Sequence, residues 1–252
     1  MELDGALNFR DLGGYAAPFG ITRSGQVYRS DSLSDLTERD VGRLLDLGLS
    51  TVVDLRYARE LEKSPCVFAA HDKVIYHHNP VAILDDIEVP PHERMLAMDF
   101  AAHNVQMARL SGSTFALLFH LLAQKDAYPL VFHCAGGRDR TGVAAALVLS
   151  AAGVRRQDIL EDYLASNEYL VPMMERMRTG FAAQGIDPDP ILANLHLREA
   201  YLTALLDVLD SDFGGIEGYL ASIGVTQAEL ATFRNLFVGW DGCSQPAGVV
   251  TL

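Results

Sequence analysis

Short apolar runs separated by glycine turns occupy the first third of the chain, and long helical patterns occupy most of the rest. The pair Thr37 and Asp40 forms a capping-box-like pattern, which predicts that a helix begins near Thr37. Gly48 is the predicted end of this helix. The predicted buried stripe of this helix consists of Val41, Leu44, Leu45 and Leu47. Because these apolar positions recur at helical spacing, one face of the helix is expected to pack on a core.

Three short runs rich in β-branched and apolar residues predict buried strands at residues 49–55, 74–76 and 130–132. A polar, proline-marked loop is predicted at residues 77–91, and two successive helices are predicted within residues 92–124. The predicted helix breaks are residues 111–113, Gly180, residues 187–190, residues 213–215 and Gly224. Strands interleaved with helices, followed by helices alone, predict an α/β domain with a helical C-terminal part.

The net charge of the chain argues against two classes of function. The 252 residues include 33 acidic and 20 basic side chains, which leaves a formal charge of −13. Nonspecific nucleic-acid binding and polybasic membrane attachment both need a surplus of Lys and Arg, so neither is expected. The length fits one elaborated domain over residues 1–252, with residues 239–252 as a loosely held tail.

The first residues and the cysteines predict a cytoplasmic protein. The start is acidic where a signal peptide would be basic, and no apolar run reaches the roughly 18 residues of a membrane span. Cys66, Cys134 and Cys243 form no CxxC pair and cannot all pair with one another, which fits a reducing compartment. Only export without a signal peptide stays open.

The segment LVFHCAGGRDRTG, residues 130–142, combines a nucleophile with an anion site. A predicted strand leads to Cys134, two glycines then let backbone N–H groups converge, and a helix is predicted from about Thr141 to Ala152. The positive field of the helix start and of Arg140 favours the thiolate form of Cys134. Since a guanidinium can bind two oxygens of a phosphoryl group, the segment predicts phosphoryl transfer to a cysteine through a phosphocysteine intermediate.

Several segments resemble the protein tyrosine phosphatases, and within them the bacterial atypical group of tyrosine and dual-specificity phosphatases. HCAGGRDRTG at residues 133–142 is similar to that group's HCxxGKDRTG signature, and NFRDLGGY at residues 8–15 is similar to its N-terminal hallmark. Further similar blocks are R-x-G-x-x-Y-R-S at residues 23–30, VVDLR at residues 52–56 with Glu60, DYLASN at residues 162–167 and GGIEGYL at residues 214–220.

The resemblance implies a tyrosine-phosphatase-like fold: a central, mostly parallel sheet flanked by helices, with a helical lid and a helical C-terminal part. It also implies hydrolysis of phosphotyrosine monoesters, with phosphoserine, phosphothreonine and phosphoinositides as further candidate substrates. One departure from the signature is Arg138, where the group usually has lysine. A planar fork in place of an ammonium group is expected to alter substrate preference.

Carried over by position, Cys134 is similar to the nucleophile of the group and Arg140 to its phosphate clamp. Thr141 is similar to the hydroxyl that steadies the departing thiolate, and a role at the helix start is the alternative. His133 is expected to orient the loop by hydrogen bonding. The implied phosphate-binding residues are Ala135, Gly136, Gly137, Arg138, Asp139, Arg140 and Thr141.

Three aspartates are candidates for the acid that protonates the leaving oxygen. Asp54 ends a predicted parallel strand beside that of Cys134 and resembles the acid proposed for the group. The alternative is a structural ion pair with Arg56, Arg59 or an N-terminal arginine. Asp139 lies inside the loop and either acts as the acid or fixes the neighbouring arginines. Asp99 is the third candidate, and the helices around it are expected to form the lid.

The remaining charged motifs predict no additional chemistry. Arg10, Arg23 and Arg29 are expected to pair with Asp11, Asp31 and neighbours rather than to bind phosphate. No histidine spacing matches a metal motif and cysteine chemistry needs no metal, so neither a metal nor a cofactor is predicted.

The predicted partners are a phosphorylated protein or phospholipid substrate and a phosphate or other oxyanion in the site. No nucleic acid and no stable membrane insertion are expected. Two competing functions stay open: a sulfurtransferase, whose cysteine loop is typically shorter, and a phosphopeptide-binding module without catalysis.

Overall fold

The computed structural model describes residues 1–18, 20–82 and 89–239. Its strands are β1 Arg10–Asp11, β2 Ala16–Ala17, β3 Gly20–Thr22, β4 Val27–Ser30, β5 Thr51–Asp54, β6 Ile75–His78, β7 Leu130–His133 and β8 Val238–Gly239. Five of these strands form one sheet in the order β1-β4-β7-β5-β6, in which β1 is antiparallel to β4 and the other neighbours are parallel. Strand β7, which leads to Cys134, therefore lies at the centre of the sheet.

Helices cover both faces of this sheet and form most of the C-terminal half. They are α1 Glu38–Asp46, α2 Ala58–Lys63, α3 Pro91–Ala97, α4 Phe100–Leu110, α5 Gly112–Leu122, α6 Arg140–Ala152, α7 Arg156–Tyr169, α8 Val171–Ala183, α9 Pro188–Leu195, α10 Glu199–Phe213, α11 Ile216–Ser222 and α12 Gln227–Phe237. The predicted α/β fold, with a mostly parallel sheet flanked by helices, is confirmed.

The two faces of the sheet contribute to two separate hydrophobic cores. Val53 and Phe132 pack with the apolar helix α6, whereas Val52 and Val131 pack on the opposite face with Leu44 of α1. Alternate residues of a strand point to opposite faces, so each strand contributes to both cores. Burial on both faces is the usual environment of a parallel sheet and explains why the middle residues of β5 and β7 are apolar.

Local capping signals predicted the first helix correctly. Thr37 caps α1, and its hydroxyl accepts a hydrogen bond from the backbone N–H of Asp40 as part of a capping box. The predicted stripe is wrong at Leu47, which is 42% exposed because the helix ends at Asp46 and Leu47 lies in the turn that follows.

Two predicted helix boundaries differ from the structure. Gly180 does not break a helix: it lies inside α8 at an exposed position, and the cost of about 1 kcal/mol for an interior glycine is too small to end it. Residues 92–124 form parts of three helices rather than two. The additional break occurs at Asp99, whose carboxylate accepts hydrogen bonds from two backbone N–H groups of α4 and starts that helix.

The end of the chain returns to the beginning. Val238 and Gly239 form β8, which pairs with Thr22 and Ile21 of β3. Gly239 therefore belongs to a strand and not to the predicted tail, whose residues 240–252 lie outside the described residues. Among the described residues, no helix is both long enough and apolar enough to cross a membrane.

Candidate active site

Cys134 lies at the carboxyl edge of the central strand. Ser30 of β4 and Asp54 of β5 both stand opposite His133 in the sheet register, so three parallel strands end side by side just before Cys134. Cys134 is 2% exposed. A loop of residues 134–139 connects β7 to α6, and the predicted strand, loop and helix are thus in the expected order.

The loop is held from outside through its carbonyl groups. Ser32 donates its backbone N–H to the carbonyl of Ala135 (3.0 Å), and the Asn8 amide donates to the carbonyls of Gly136 (3.2 Å) and Gly137 (3.1 Å). The Arg29 guanidinium also donates to the Gly137 carbonyl, at 2.7 Å. In a planar trans peptide the N–H points opposite to the C=O, so the N–H groups after these carbonyls point away from the supporting residues.

Gly137 is required by the shape of the loop. Its φ of +62° lies in the left-handed region, and a Cβ built there would be 2.6 Å from the backbone nitrogen of Asp31. Both conditions select glycine, because any side chain would collide with the end of β4. This close approach allows the loop to pack directly on the neighbouring strand.

Arg140, the first residue of α6, is held by a carboxylate. Its Nη1 and Nη2 donate to the two oxygens of Glu60 at 2.5 and 2.8 Å, and its guanidinium lies 5.1 Å from the centre of the Tyr57 ring. Burial opposes the charge of Glu60, but the hydrogen bonds and charge of Arg140 outweigh it and hold the pKa of Glu60 below its usual range. Burial likewise disfavours the Arg140 cation, but the pair with Glu60 raises its pKa overall. The pair is therefore fully ionised.

A second arginine–carboxylate group supports the loop from the side of α7. Asp162 accepts hydrogen bonds from Arg10 (2.9 Å) and from the buried Arg29. Burial lowers the pKa of Arg29 to about 10, so this guanidinium stays charged near neutral pH. Burial also opposes the charge of Asp162, but its two arginine partners outweigh this effect and lower its pKa.

The expected partners of the N-terminal arginines are corrected by this arrangement. Arg10 and Arg29 pair with Asp162 and not with Asp11 or Asp31, while Arg23 donates to backbone carbonyls near the end of α12. The carboxylates of Asp11 and Asp31 instead accept hydrogen bonds from backbone N–H groups of nearby turns. The guanidinium groups of Arg10 and Arg29 thus position the loop through protein contacts.

Asp54 is completely buried in a polar cluster. It accepts hydrogen bonds from Arg56, the shortest 2.7 Å, and from the Tyr76 hydroxyl (2.9 Å), and its Oδ2 lies 3.4 Å from Nε2 of His133. Burial raises the pKa of Asp54, but Arg56 and the other partners more than compensate, so the carboxyl is ionised. Burial lowers the pKa of His133 to about 4 despite the nearby carboxylate.

The side chain of Asp54 lies on the other face of the sheet from that of Cys134. Val52 and Val131, two residues before Asp54 and His133, belong to the core beside α1, whereas Cys134 belongs to the core around α6. Residues two apart share a face, which places Asp54 and His133 together behind the loop.

The other predicted site residues have distinct surroundings. Asp139 is partly exposed and accepts hydrogen bonds from Nε of Arg138 at 3.0 and 3.2 Å. The Thr141 hydroxyl lies 3.4 Å from the carbonyl oxygen of Ser30, to which it donates. Asp99 is exposed and caps α4.

Three buried donors come close enough together to be tested as a metal site. The ligand atoms of Asp54, Cys66 and His133 all lie within 4.8 Å of one another. The surroundings do not suit a cation, because Arg56 already neutralises Asp54 and burial raises the pKa of the Cys66 thiol to about 11. This chemistry agrees with the prediction of a metal-free reaction, which stays a prediction.

Several supporting residues were not identified as such from the sequence. Glu60 and Tyr57 hold Arg140, and Asn8, Arg29 and Asp162 hold the loop. Each of them except Tyr57 belongs to a block that carried the family resemblance. The blocks were therefore the available signal, although they did not reveal which side chains meet.

A profile described as "Tyrosine phosphatase family" matches residues 1–239. The triple specificity protein phosphatase PtpB of Mycobacterium tuberculosis is 30% identical in an alignment that covers 94% of this chain and 99% of that protein. A tyrosine-protein phosphatase of Nostoc commune is 31% identical over 211 residues, covering 82% and 72%. A solved structure of P. aeruginosa TpbA in complex with pTyr has a TM-score of 0.38 at 16% identity, covering 85% of this chain and 96% of that chain.

The chain belongs to the tyrosine phosphatase family. The predicted class of enzyme, a tyrosine phosphatase, is confirmed by this membership.

Proposed function

We propose that the protein hydrolyses phosphate monoesters with Cys134 as the nucleophile and Arg140 as the phosphate clamp. The bidentate pair with Glu60 carries this proposal, because it fixes a guanidinium at the start of α6 beside the loop of Cys134. Glu60 accepts two of the five N–H donors of the guanidinium, so the remaining donors stay available for phosphoryl oxygens. A fork already held in one orientation loses little entropy when it binds them.

The proposed reaction has two steps. The Cys134 thiolate attacks phosphorus, and the S–P bond forms as the bond to the leaving oxygen breaks and that oxygen takes a proton from Asp139. A water molecule then attacks phosphorus and gives a proton to the Asp139 carboxylate, while the S–P bond breaks to release inorganic phosphate and restore the thiolate. The backbone N–H groups of residues 135–141 and the Arg140 guanidinium stabilise the charge on the phosphoryl oxygens in both steps.

Asp139 suits the role of the acid better than Asp54 does. An acid that serves a bound ester must reach the leaving oxygen and exchange protons with water. Asp139 lies in the loop and is partly exposed, whereas Asp54 is buried, ionised and paired with Arg56 on the far face of the sheet. We therefore assign Asp54 to the alternative role, a buried ion pair with Arg56.

The proposed substrates are phosphotyrosine monoesters first, with phosphoserine, phosphothreonine and phosphoinositides as the wider range. One relative that aligns over nearly its whole length bears the name of a triple specificity phosphatase, which supports testing this wider range of substrates. We also propose that residues 1–252 act as a single domain in the cytoplasm, where a reducing environment would keep Cys134 from forming a disulfide. Neither a nucleic acid nor a membrane insertion is part of this proposal.

The decisive experiment compares p-nitrophenyl phosphate hydrolysis by the wild type, Cys134→Ser and Cys66→Ser. Loss of activity in Cys134→Ser, with vanadate inhibition of the wild type, is expected, because serine lacks a thiolate and vanadate mimics the transferred group. Cys66→Ser is the matched control, since Cys66 is also a buried free cysteine but lies in the core beside α1. Unchanged activity in Cys134→Ser would exclude the mechanism.

Two further measurements on the wild type separate the competing functions. Thiosulfate sulfurtransfer faster than phosphate ester hydrolysis would favour a sulfurtransferase. Binding of a phosphotyrosine peptide without turnover by the wild type would favour a binding module. Trapping of 32P on Cys134 after rapid acid quench, at a stoichiometry approaching one per chain, is expected if the phosphocysteine accumulates.

A further inference from the structure

Arg138 contacts three separate parts of the structure from its place in the loop. Its Nε donates to both oxygens of Asp139, at 3.0 and 3.2 Å, and its Nη1 donates to the carbonyl oxygen of Leu195 at 2.6 Å. Its guanidinium also lies 4.8 Å from the centre of the Phe100 ring. The residue is 6% exposed, so a charged group in this position depends on these partners.

The contact with Leu195 lies at the end of α9. The last carbonyl groups of a helix have no partner within the helix and carry partial negative charge. A buried guanidinium is well suited to bind such a carbonyl, because it combines hydrogen bonding with a favourable interaction with the helix dipole. Arg138 therefore links the C-terminus of α9 to the loop that carries Cys134.

Helix α9 is in turn part of a small satellite core. Ile191, Leu192 and Leu195 pack with Phe100 of α4, and Met174 is among the partly buried apolar residues of α8 that complete the cluster. None of the described side chains of α8 is fully buried. Apolar packing of α8 is thus limited. Helix α9 is held both by its buried side chains and by polar ties, namely those of Asn194 to the carbonyls of Met95, Leu96 and Met98 and that of Arg138 to the helix C-terminus.

We infer that Arg138 is a positioning residue which couples the docking of α9 to the orientation of the Asp139 carboxylate. One edge of the guanidinium fixes the carboxylate through Nε, and Nη1 holds the helix end. Displacement of α9 removes the restraint on the fork and with it the restraint on Asp139. This inference rests on the proposed function for the role of Asp139 as the acid, but the contact with α9 is tested independently of it.

The geometry requires arginine. A lysine ammonium can donate to a carboxylate or to a carbonyl, but it has no planar fork that can stack on Phe100 while donating in two directions. Arg138→Lys keeps the charge and removes the coupling, whereas Arg138→Met removes both. Arg178→Lys is the control, because Arg178 forms an exposed ion pair with Asp189 between α8 and α9 without contacting the loop.

The first measurement is backbone hydrogen exchange of the ligand-free full chain. Residues 191–195 are expected to exchange faster by roughly tenfold in Arg138→Lys and Arg138→Met than in the wild type, since local opening is easier when a tie is lost. Arg178→Lys is expected to exchange like the wild type. Wild-type protection of α9 in both Arg138 variants would overturn the inference whether or not the protein is a phosphatase.

The second measurement uses leaving groups of different quality. Loss of acid catalysis slows esters with poor leaving groups most, so Arg138→Met is expected to lower kcat by roughly tenfold or more for phenyl phosphate and by less than about threefold for p-nitrophenyl phosphate. A loss of folded protein would lower both rates equally.

A double-mutant cycle completes the test. If Arg138 acts through Asp139, then Arg138→Met added to Asp139→Asn changes kcat for phenyl phosphate by less than about twofold. Independent, multiplicative losses would overturn the coupling. If Asp139→Asn alone slows both esters equally, the acid assignment fails, while the exchange experiment still decides whether Arg138 holds α9.

Discussion

Two arginine–carboxylate groups flank the same loop, and they differ in how many N–H donors of the arginine are used by protein groups. Arg140 is bound by Glu60 on one edge of its guanidinium and lies at the start of α6, and we have proposed that its remaining donors bind a phosphoryl group. Arg29 is completely buried, shares Asp162 with Arg10 and donates to the Gly137 carbonyl. We call Arg140 and Glu60 the front pair and Arg10, Arg29 and Asp162 the back cluster.

The difference shows how the same chemistry can serve two purposes. The back cluster uses its donors on protein groups and thereby fixes the shape of the loop. In the proposed mechanism, the front pair leaves donors of Arg140 free to bind the phosphoryl group. Residues of the back cluster should therefore affect stability first, and residues of the front pair should affect catalysis first.

The largest effect is expected from Asp162→Asn. This change removes the charge that compensates two arginines, one of them fully buried, and should lower the free energy of unfolding by about 3–5 kcal/mol, as measured by urea denaturation. Asp158→Asn on the same helix is the control, since it breaks an exposed pair with Arg155 and should cost less than about 1 kcal/mol. A small loss of stability combined with a large loss of activity in Asp162→Asn would contradict the assigned role of the back cluster.

The next effect concerns pH and His133, which also lies behind the loop. Burial lowers the pKa of His133 from 6.5 to about 4, so the folded protein binds a proton there less readily than the unfolded chain does. The stability that the neutral His133 contributes is fully present above pH 6.5. It is lost as the pH falls toward 4, and the free energy of unfolding decreases by at most about 3 kcal/mol. The free energy of unfolding should consequently fall less steeply over this range in His133→Gln.

His71→Asn provides the comparison for that experiment. His71 is only partly buried and lies far from the loop in sequence, so this variant should keep the pH dependence of the wild type. Equal pH slopes in the wild type and in His133→Gln would mean that folding does not lower the pKa of His133.

A smaller effect, confined to catalysis, is expected from Glu60→Gln. The amide cannot form the ionic bidentate pair, so the Arg140 fork loses its fixed orientation and kcat/KM should fall roughly 10- to 100-fold. The free energy of unfolding should change by less than about 1 kcal/mol, because the pair is partly exposed. Glu62→Gln, two residues further along α2 and exposed, is the control and should leave both quantities unchanged. A loss of stability without loss of activity in Glu60→Gln would remove the distinction between front and back.

The same comparison explains how much could be predicted from the sequence. The strand, loop and helix around Cys134 depend on residues that are adjacent in the chain, and these elements were predicted correctly. The partner of Arg29 lies 133 residues away and the partner of Arg140 lies 80 residues away, so both depend on the sheet order and on helix packing. Local patterns contain no information on such pairings, which explains why Asp11 and Asp31 were expected in place of Asp162.

The position of Asp54 illustrates a related limit. Its place at the end of a parallel strand was predicted, and ligands are commonly bound at that edge of a sheet. The face to which its side chain points depends on the register of the strand relative to β7, and this register places it beside His133 and Arg56. A shift of one residue would have reversed the face, so the sequence alone left both roles open.

The smallest effect is expected from metal removal. Asp54, Cys66 and His133 lie behind the loop with their ligand atoms close together, but Arg56 occupies the carboxylate and the Cys66 thiol is protonated near neutral pH, because burial raises its pKa to about 11. Dialysis against EDTA should therefore leave both kcat/KM and Tm of the wild type unchanged. Suppose that activity or Tm falls on dialysis and that Zn²⁺ restores it in the wild type but not in Cys66→Ala. This result would show that the buried cluster binds a metal. It would also mean that residues behind the loop contribute to activity as well as to stability. The division between stability behind the loop and catalysis at the front pair would then fail.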